Sequence, residues 1–94
     1  MNYINDVKLS GVITEIRTSE RGSRFLILKQ VNVHSDGVEH SRYLELFVNA
    51  DRDDIIKQIV TGRGAEITGK LTTFKAKKIN IYKMIVEVET FKLI

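Results

Sequence analysis

A small closed β-barrel of five strands, with one helix between the third and the fourth, is the fold class this sequence predicts. Three observations predict it. Five apolar stretches read as strands, most of them alternating with the period of two that half-buried strands require and the second a continuous apolar run. A single stripe at helical spacing falls between the third and fourth of them. Glycine, serine and aspartate mark the turns between these stretches, and the chain has no proline.

The first strand is Val7–Arg17. Val7, Leu9, Gly11 and Ile13 alternate with Lys8, Ser10 and Thr14, and then the phase slips, because Ile16 rather than Glu15 is the next apolar residue. A slip beside a glycine predicts a bulge or sharp bend, which small barrels need in order to curl. Thr18–Ser23 is turn-rich. The second strand, Arg24–Val33, has Phe-Leu-Ile-Leu at its centre, and so continuous an apolar run predicts cover on both faces. Asp36-Gly37 signals a hairpin. In the third strand, Ser41–Val48, Leu44, Leu46 and Val48 share the core face, so Tyr43, Glu45 and Phe47 point outward. Asp51–Val60 reads as the helix, with Asp51 as N-cap, Asp53 and Asp54 in the positive first turn, and Gly62 as its stop. Gly64–Thr73 is the fourth strand and Asn80–Leu93 the fifth, with Tyr82 assigned to the core. A split βαβ sandwich needs two helices, and an SH3-like barrel has no ten-residue helix in this position. The order fits the OB-fold, a five-stranded Greek-key barrel.

The 94 residues make one domain, 1–94, with 43% hydrophobic and 29% charged residues, ordinary values for a globular protein. The absence of cysteine excludes disulfides, thiolate zinc sites and cysteine nucleophiles. The start Met1–Lys8 lacks the basic and apolar regions of a signal peptide. No apolar run approaches the ~20 residues that span a bilayer. The expectation is a cytoplasmic protein with no membrane partner.

Charge is concentrated locally. The stretch Ile67–Val86 holds Lys70, Lys75, Lys77, Lys78 and Lys83 and no carboxylate, although the chain as a whole is only +3. Arg17, Arg21, Arg24 and Lys29 surround the first loop against the single acid Glu20. In an OB-fold, ligands cross the face of strands two and three, clasped by the loops after strands one and four, here Thr18–Ser23 and Phe74–Ile79. Cations on both loops suit an electrostatic track for a nucleic-acid backbone. Tyr43, Phe74 and Phe25 can stack bases, worth ~1–3 kcal/mol per base. The bland alternative is a solvated lysine-rich surface with Phe25 in the core.

Other constellations carry less. His34 and His40 flank the hairpin turn and can approach each other, but two histidines make a poor metal site. Helix capping accounts for Asp51, Asp53 and Asp54. No nucleophile signature surrounds Ser23, Ser35 or Ser41. The sequence thus predicts no enzyme, no metal and no cofactor.

Short motifs in a consistent order carry a resemblance. Val-Lys-Leu-Ser-Gly-Val-Ile (7–13), Gly-Arg-Gly-Ala-Glu-Ile-Thr-Gly-Lys-Leu (62–71), Phe-Lys-Ala-Lys-Lys (74–78) and the final strand (83–94) resemble the bacterial single-stranded-DNA-binding (SSB) and primosomal PriB family. The resemblance implies a homodimer or homotetramer that binds single-stranded DNA without sequence preference in replication, restart or repair, with replication or primosome proteins as further partners. It also implies DNA contacts at Lys75, Lys77, Lys78 and Lys83, and a stacking aromatic at or next to Tyr43.

The chain departs from the family in having no tryptophan, with Val33 where one of the stacking tryptophans would stand. It also ends at Ile94 without a glycine-rich linker or acidic tail, so the expectation is a PriB-like accessory or a minimal SSB variant. Weaker stacking predicts an affinity that leans on phosphates and falls steeply with salt. Two alternatives use the same fold: a protein-assembly module, with Phe25, Ile27 and Phe47 against a partner, and an RNA-binding protein.

Overall fold

The structure, a computed structural model, describes residues 3–75 and 81–94. Its elements are β1 (Val7–Thr18), β2 (Arg24–Val33), β3 (Glu39–Val48), α1 (Asp53–Ile56), β4 (Gly64–Lys75) and β5 (Tyr82–Leu93). The strands close into a barrel in the order β1-β2-β3-β5-β4, and β4 pairs back onto β1. Every pairing is antiparallel except β3 with β5. With the helix between β3 and β4, this is the OB-fold that the strand order predicts.

Alternation fills the barrel. Ile13, Leu26, Leu28, Leu46, Val48 and Ile67 are fully buried, and Ile55 of α1 packs among them. The ladders match apolar to apolar on this inner face: Leu28 lies opposite both Ile13 and Leu44, and Leu26 opposite Leu46. A fully buried aliphatic side chain contributes roughly 1.5–3 kcal/mol.

Two irregularities bend the sheet. The β1–β2 register shifts between Ile13 and Glu15, so Thr14 is the extra residue, where the sequence phase slips. The bulge keeps Ile13 inside and turns Glu15 and Arg17 outward, opposite Ile27 and Phe25. The second shift lies between Thr68 and Gly69 on β4, leaving Glu89 as the extra residue of β5. There the strands cross so closely that a Cβ on Gly69 would stand 2.1 Å from the Glu87 carbonyl oxygen. Gly11 meets the Lys29 carbonyl oxygen in the same way, at 2.6 Å. Only glycine fits at either crossing.

The predicted helix Asp51–Val60 shrinks to one turn, Asp53–Ile56. Asp51 is not its N-cap. Arg52 holds that position without a side-chain capping bond, and Asp51 instead donates its N–H to the Asn49 side chain at 3.3 Å. Beyond the turn, Gln58 and Ile59 make i→i+3 bonds to Ile55 and Ile56, which tighten the chain. Gly62, at φ +84°, then donates to the Ile13 carbonyl at 2.8 Å. That tether to β1 leaves no room for further helical turns. Arg52 fixes the turn from its other side. Its guanidinium makes two 3.1 Å bonds to Asp54, which hold the Asp54 carboxyl below the usual carboxylate range, and it donates to the Glu89 carbonyl at 2.7 Å.

Candidate nucleic-acid interface

The strands that fill the barrel also build its outer face, with the opposite residues. In the β2–β3 ladder, Phe25 lies opposite Phe47, Ile27 opposite Glu45, Lys29 opposite Tyr43 and Val31 opposite Ser41. These are the outward positions predicted from the alternation of Leu44, Leu46 and Val48. Tyr43 is 60% exposed.

One end of this face is aromatic. The Phe25 and Phe47 ring centroids are 5.3 Å apart, and those of Phe25 and Phe74 5.9 Å, both pairs tilted. Phe74 arrives from the β4–β5 hairpin. Register places Thr72, Phe74, Lys83 and Ile85 on one face of that hairpin, which folds over Phe25. Ile85 is buried outside the main core, in the wall of a cleft shared with Phe25, Phe47 and Phe74. The cluster covers the weakest seam of the barrel, where β3 and β5 pair only at Leu46–Val86 and Phe47–Glu87.

Next to this cluster a cleft of about 290 Å³ opens between the end of β1 and the strands of the β4–β5 hairpin. Its walls hold Phe25 and Phe74, Arg17, Thr18 and Ser19 from the end of β1 and its loop, Lys83 from β5, and the carboxylates Glu15 and Glu45. The adjoining loop closes with Ser19 bonded to Ser23 and with Gly22 at φ +88°. A separate groove runs along β1, β2 and β3, lined by Lys29, Gln30, Asn32 and Arg42. Arg42 was not singled out from the sequence. It lies opposite Gln30, on the parity of Leu44 rather than that of Tyr43, and only the strand pairing brings it to this groove.

The structure brings some sequence-chosen residues together and sets others apart. Arg17, Phe74 and Lys83 share the aromatic cleft, and Lys29 and Tyr43 stand opposite each other further along the same face. Arg17 lies 3.4 Å from Glu15, both well exposed. Arg21 is exposed in the first loop and Lys75 at the end of β4. Arg24 lies on the opposite parity from Phe25, half-buried, and donates to the Gly22 carbonyl. Lys70 lines a different cavity, with its ammonium 2.5 Å from Asp6 and 3.9 Å from Glu89. The hydrogen bond to Asp6 raises the Lys70 pKa. Lys77 and Lys78 lie outside the described residues.

Two expectations change. Tyr82 is not a core residue but is 67% exposed. It lies on the far face of the β4–β5 hairpin with Leu71 and Met84, both also exposed, away from the Phe25 cluster. Nor is the outward face of β2 and β3 an open apolar patch. Leu26 is in the barrel core, and Phe25 and Phe47 are half-covered by their own chain. His34 and His40 do meet across the hairpin, at 4.1 Å between centroids.

No protein-family profile matches the chain, and no curated protein does. Among solved structures the chain is similar to a small single-stranded DNA binding protein from Mycoplasma pneumoniae. The TM-score is 0.77 at 20% identity, over 96% of this chain and 93% of the other. At that identity the likeness establishes the shared fold.

Proposed function

We infer that the chain is a non-enzymatic, SSB/PriB-like single-stranded-DNA-binding protein. The observation that carries this reading is the cleft between β1 and the β4–β5 strands, with Phe25 and Phe74 in its walls and Arg17 and Lys83 around it. An aromatic wall offers a stacking surface that any base can use, and the cations can neutralise neighbouring phosphates. The similar Mycoplasma fold, itself named for single-stranded DNA binding, supports the same reading.

The setting is DNA replication, restart or repair on the bacterial nucleoid, with replication or primosome proteins as further partners. Assembly as a homodimer or homotetramer fits the exposed hairpin face of Leu71, Tyr82 and Met84. Arg17, Arg21, Lys29, Lys75, Lys77, Lys78 and Lys83 act as phosphate contacts, while Tyr43 and Phe74 act as stacking residues.

A salt series with a labelled mixed-sequence oligonucleotide, single-stranded and duplex, tests this. With those seven phosphates neutralised, log K falls against log salt with a slope of about −5 for a single strand. The duplex binds much more weakly. Equal affinity for both forms, or no binding at low salt, would overturn the reading.

A further inference from the structure

The cleft contains a feature that a uniform phosphate track does not need. Glu15 of β1 and Glu45 of β3 stand in register on either side of Ile27, facing outward beside Phe25. A carboxylate on a phosphate-binding face repels the backbone it is meant to hold. The cost is offset where the carboxylate meets a cation of the protein or a hydrogen-bond donor of the ligand. Arg17 lies 3.4 Å from Glu15, whereas Glu45 makes no ion pair among the described residues.

Charge and shape together select the occupant. Phe25 and Phe74 provide the apolar walls, Arg17 and Lys83 the positive positions, and the two glutamates the acceptors, all around one cleft of about 290 Å³. A stacked nucleobase flanked by its own phosphates presents that pattern in reverse. The base edge is the part that discriminates. Cytosine offers an exocyclic amino group to a carboxylate, and so, on other edges, do adenine and guanine. Thymine offers two carbonyl oxygens and a single ring N–H, so a glutamate beside it meets mostly repulsion.

We propose that this cleft is a base-reading subsite in which Glu45 accepts a hydrogen bond from an exocyclic amino group, so that the protein disfavours thymine. The proposal rests on the single-strand-binding reading and sharpens it, because that reading alone makes every base equivalent. Glu45 here is a specificity residue within a site that otherwise binds through charge and stacking.

The test compares oligo-dC with oligo-dT of equal length at mildly alkaline pH and fixed salt, for the wild type and for Glu45→Gln. The wild type should favour oligo-dC by about tenfold, the scale of one well-placed amino–carboxylate contact. Glu45→Gln removes the charge and adds an amide donor that thymine can accept, so the ratio should collapse toward one, mainly through a gain in oligo-dT affinity. Circular dichroism would establish that this exposed substitution leaves the fold intact.

Equal wild-type affinities for the two oligomers overturn the base-reading proposal and leave single-strand binding standing. A gain of the same factor for both oligomers in Glu45→Gln also overturns it, because Glu45 then acts only as a diffuse repulsive charge. Failure of both oligomers to bind at low salt overturns the underlying reading as well.

Discussion

The two faces of the β2–β3 hairpin are made by alternate residues of the same strands, yet they differ in completeness. The inner face is closed: Leu26, Leu28, Leu46 and Val48 are aliphatic and fully buried. The outer face is half-finished. Phe25, Phe47 and Phe74 cover one another only in part, and Tyr43, Val31 and Glu45 remain exposed. A filled interior keeps close-packed density and has no space for a ligand. A tilted aromatic cluster with one side open still has surface that a base can cover. One pair of strands can therefore hold the fold with one parity and present the site with the other.

Truncation of the inner face should have the largest effect and should leave the outer face working. Leu28 is fully buried between Ile13 and Leu44 in the ladder, so Leu28→Ala leaves a cavity costing about 3 kcal/mol. In a domain of this size that lowers Tm by roughly 12–24 °C. Oligonucleotide affinity, measured well below the new Tm, should stay within about twofold, since no atom of the cleft is lost. A loss of affinity as large as the loss of stability would show that the two faces are mechanically coupled.

Phe74→Ala should show the reverse balance. Phe74 is half-buried, so less apolar area is lost, and the damage to stability should be smaller than for Leu28→Ala. It is also a wall of both the cleft and the adjoining cavity over Ile85. Removing a stacking surface costs ~1–3 kcal/mol per base, a roughly thirtyfold weakening at the middle of that range. The salt slope should be unchanged, because no cation is removed. Titration at two salt concentrations separates this outcome from a loss of phosphate contacts. If affinity is unaffected while Tm falls, Phe74 serves only to seal the β3–β5 seam.

The sequence revealed the inner face more readily than the outer one. Period-two alternation identifies Leu44, Leu46 and Val48 as a set, and the slip at Glu15–Ile16 locates the β1 bulge, because both depend on neighbours in the chain. The outward direction of Tyr43, Glu45 and Phe47 follows from the same alternation. The contact of Phe74 with Phe25 does not, since the two residues are far apart in sequence and meet only because the β4–β5 hairpin bends back. Tyr82 shows the complementary limit. Its parity matches Val86, which is buried, but the barrel ends near Val86 and the hairpin carries Tyr82 past the rim. Ile85 and Val86 are adjacent and both buried because one faces the aromatic cluster and the other the barrel. The helix was overestimated because an apolar stripe records a face and not a hydrogen-bonding pattern. The Gly62–Ile13 tether that shortens it is tertiary. The basic cluster was legible as charge, but its Lys70 belongs elsewhere in space.

Lys70 accordingly offers the smallest effect and the finest test of where the outer face ends. Its ammonium is held by Asp6 at 2.5 Å, with Glu89 at 3.9 Å, on a part of the barrel that shares no cavity with Phe25. All three groups are exposed, so the pair adds little to stability. Lys70→Ala should lower Tm only slightly near neutral pH. The Asp6 hydrogen bond raises the Lys70 pKa above its ordinary 10.5. The bridge therefore stabilises the fold fully below that ordinary value, and its contribution is lost as pH rises through the raised one. The small Tm difference between wild type and variant should thus persist to about pH 10 and shrink beyond it. Oligonucleotide affinity and its salt slope should not change. Lys83→Ala, from the cleft, should weaken binding and reduce the slope by about 0.7, the loss of one phosphate contact on a single strand. If the two lysine variants lower the slope equally, the bound strand wraps beyond the β2–β3 face and displaces Asp6 from Lys70.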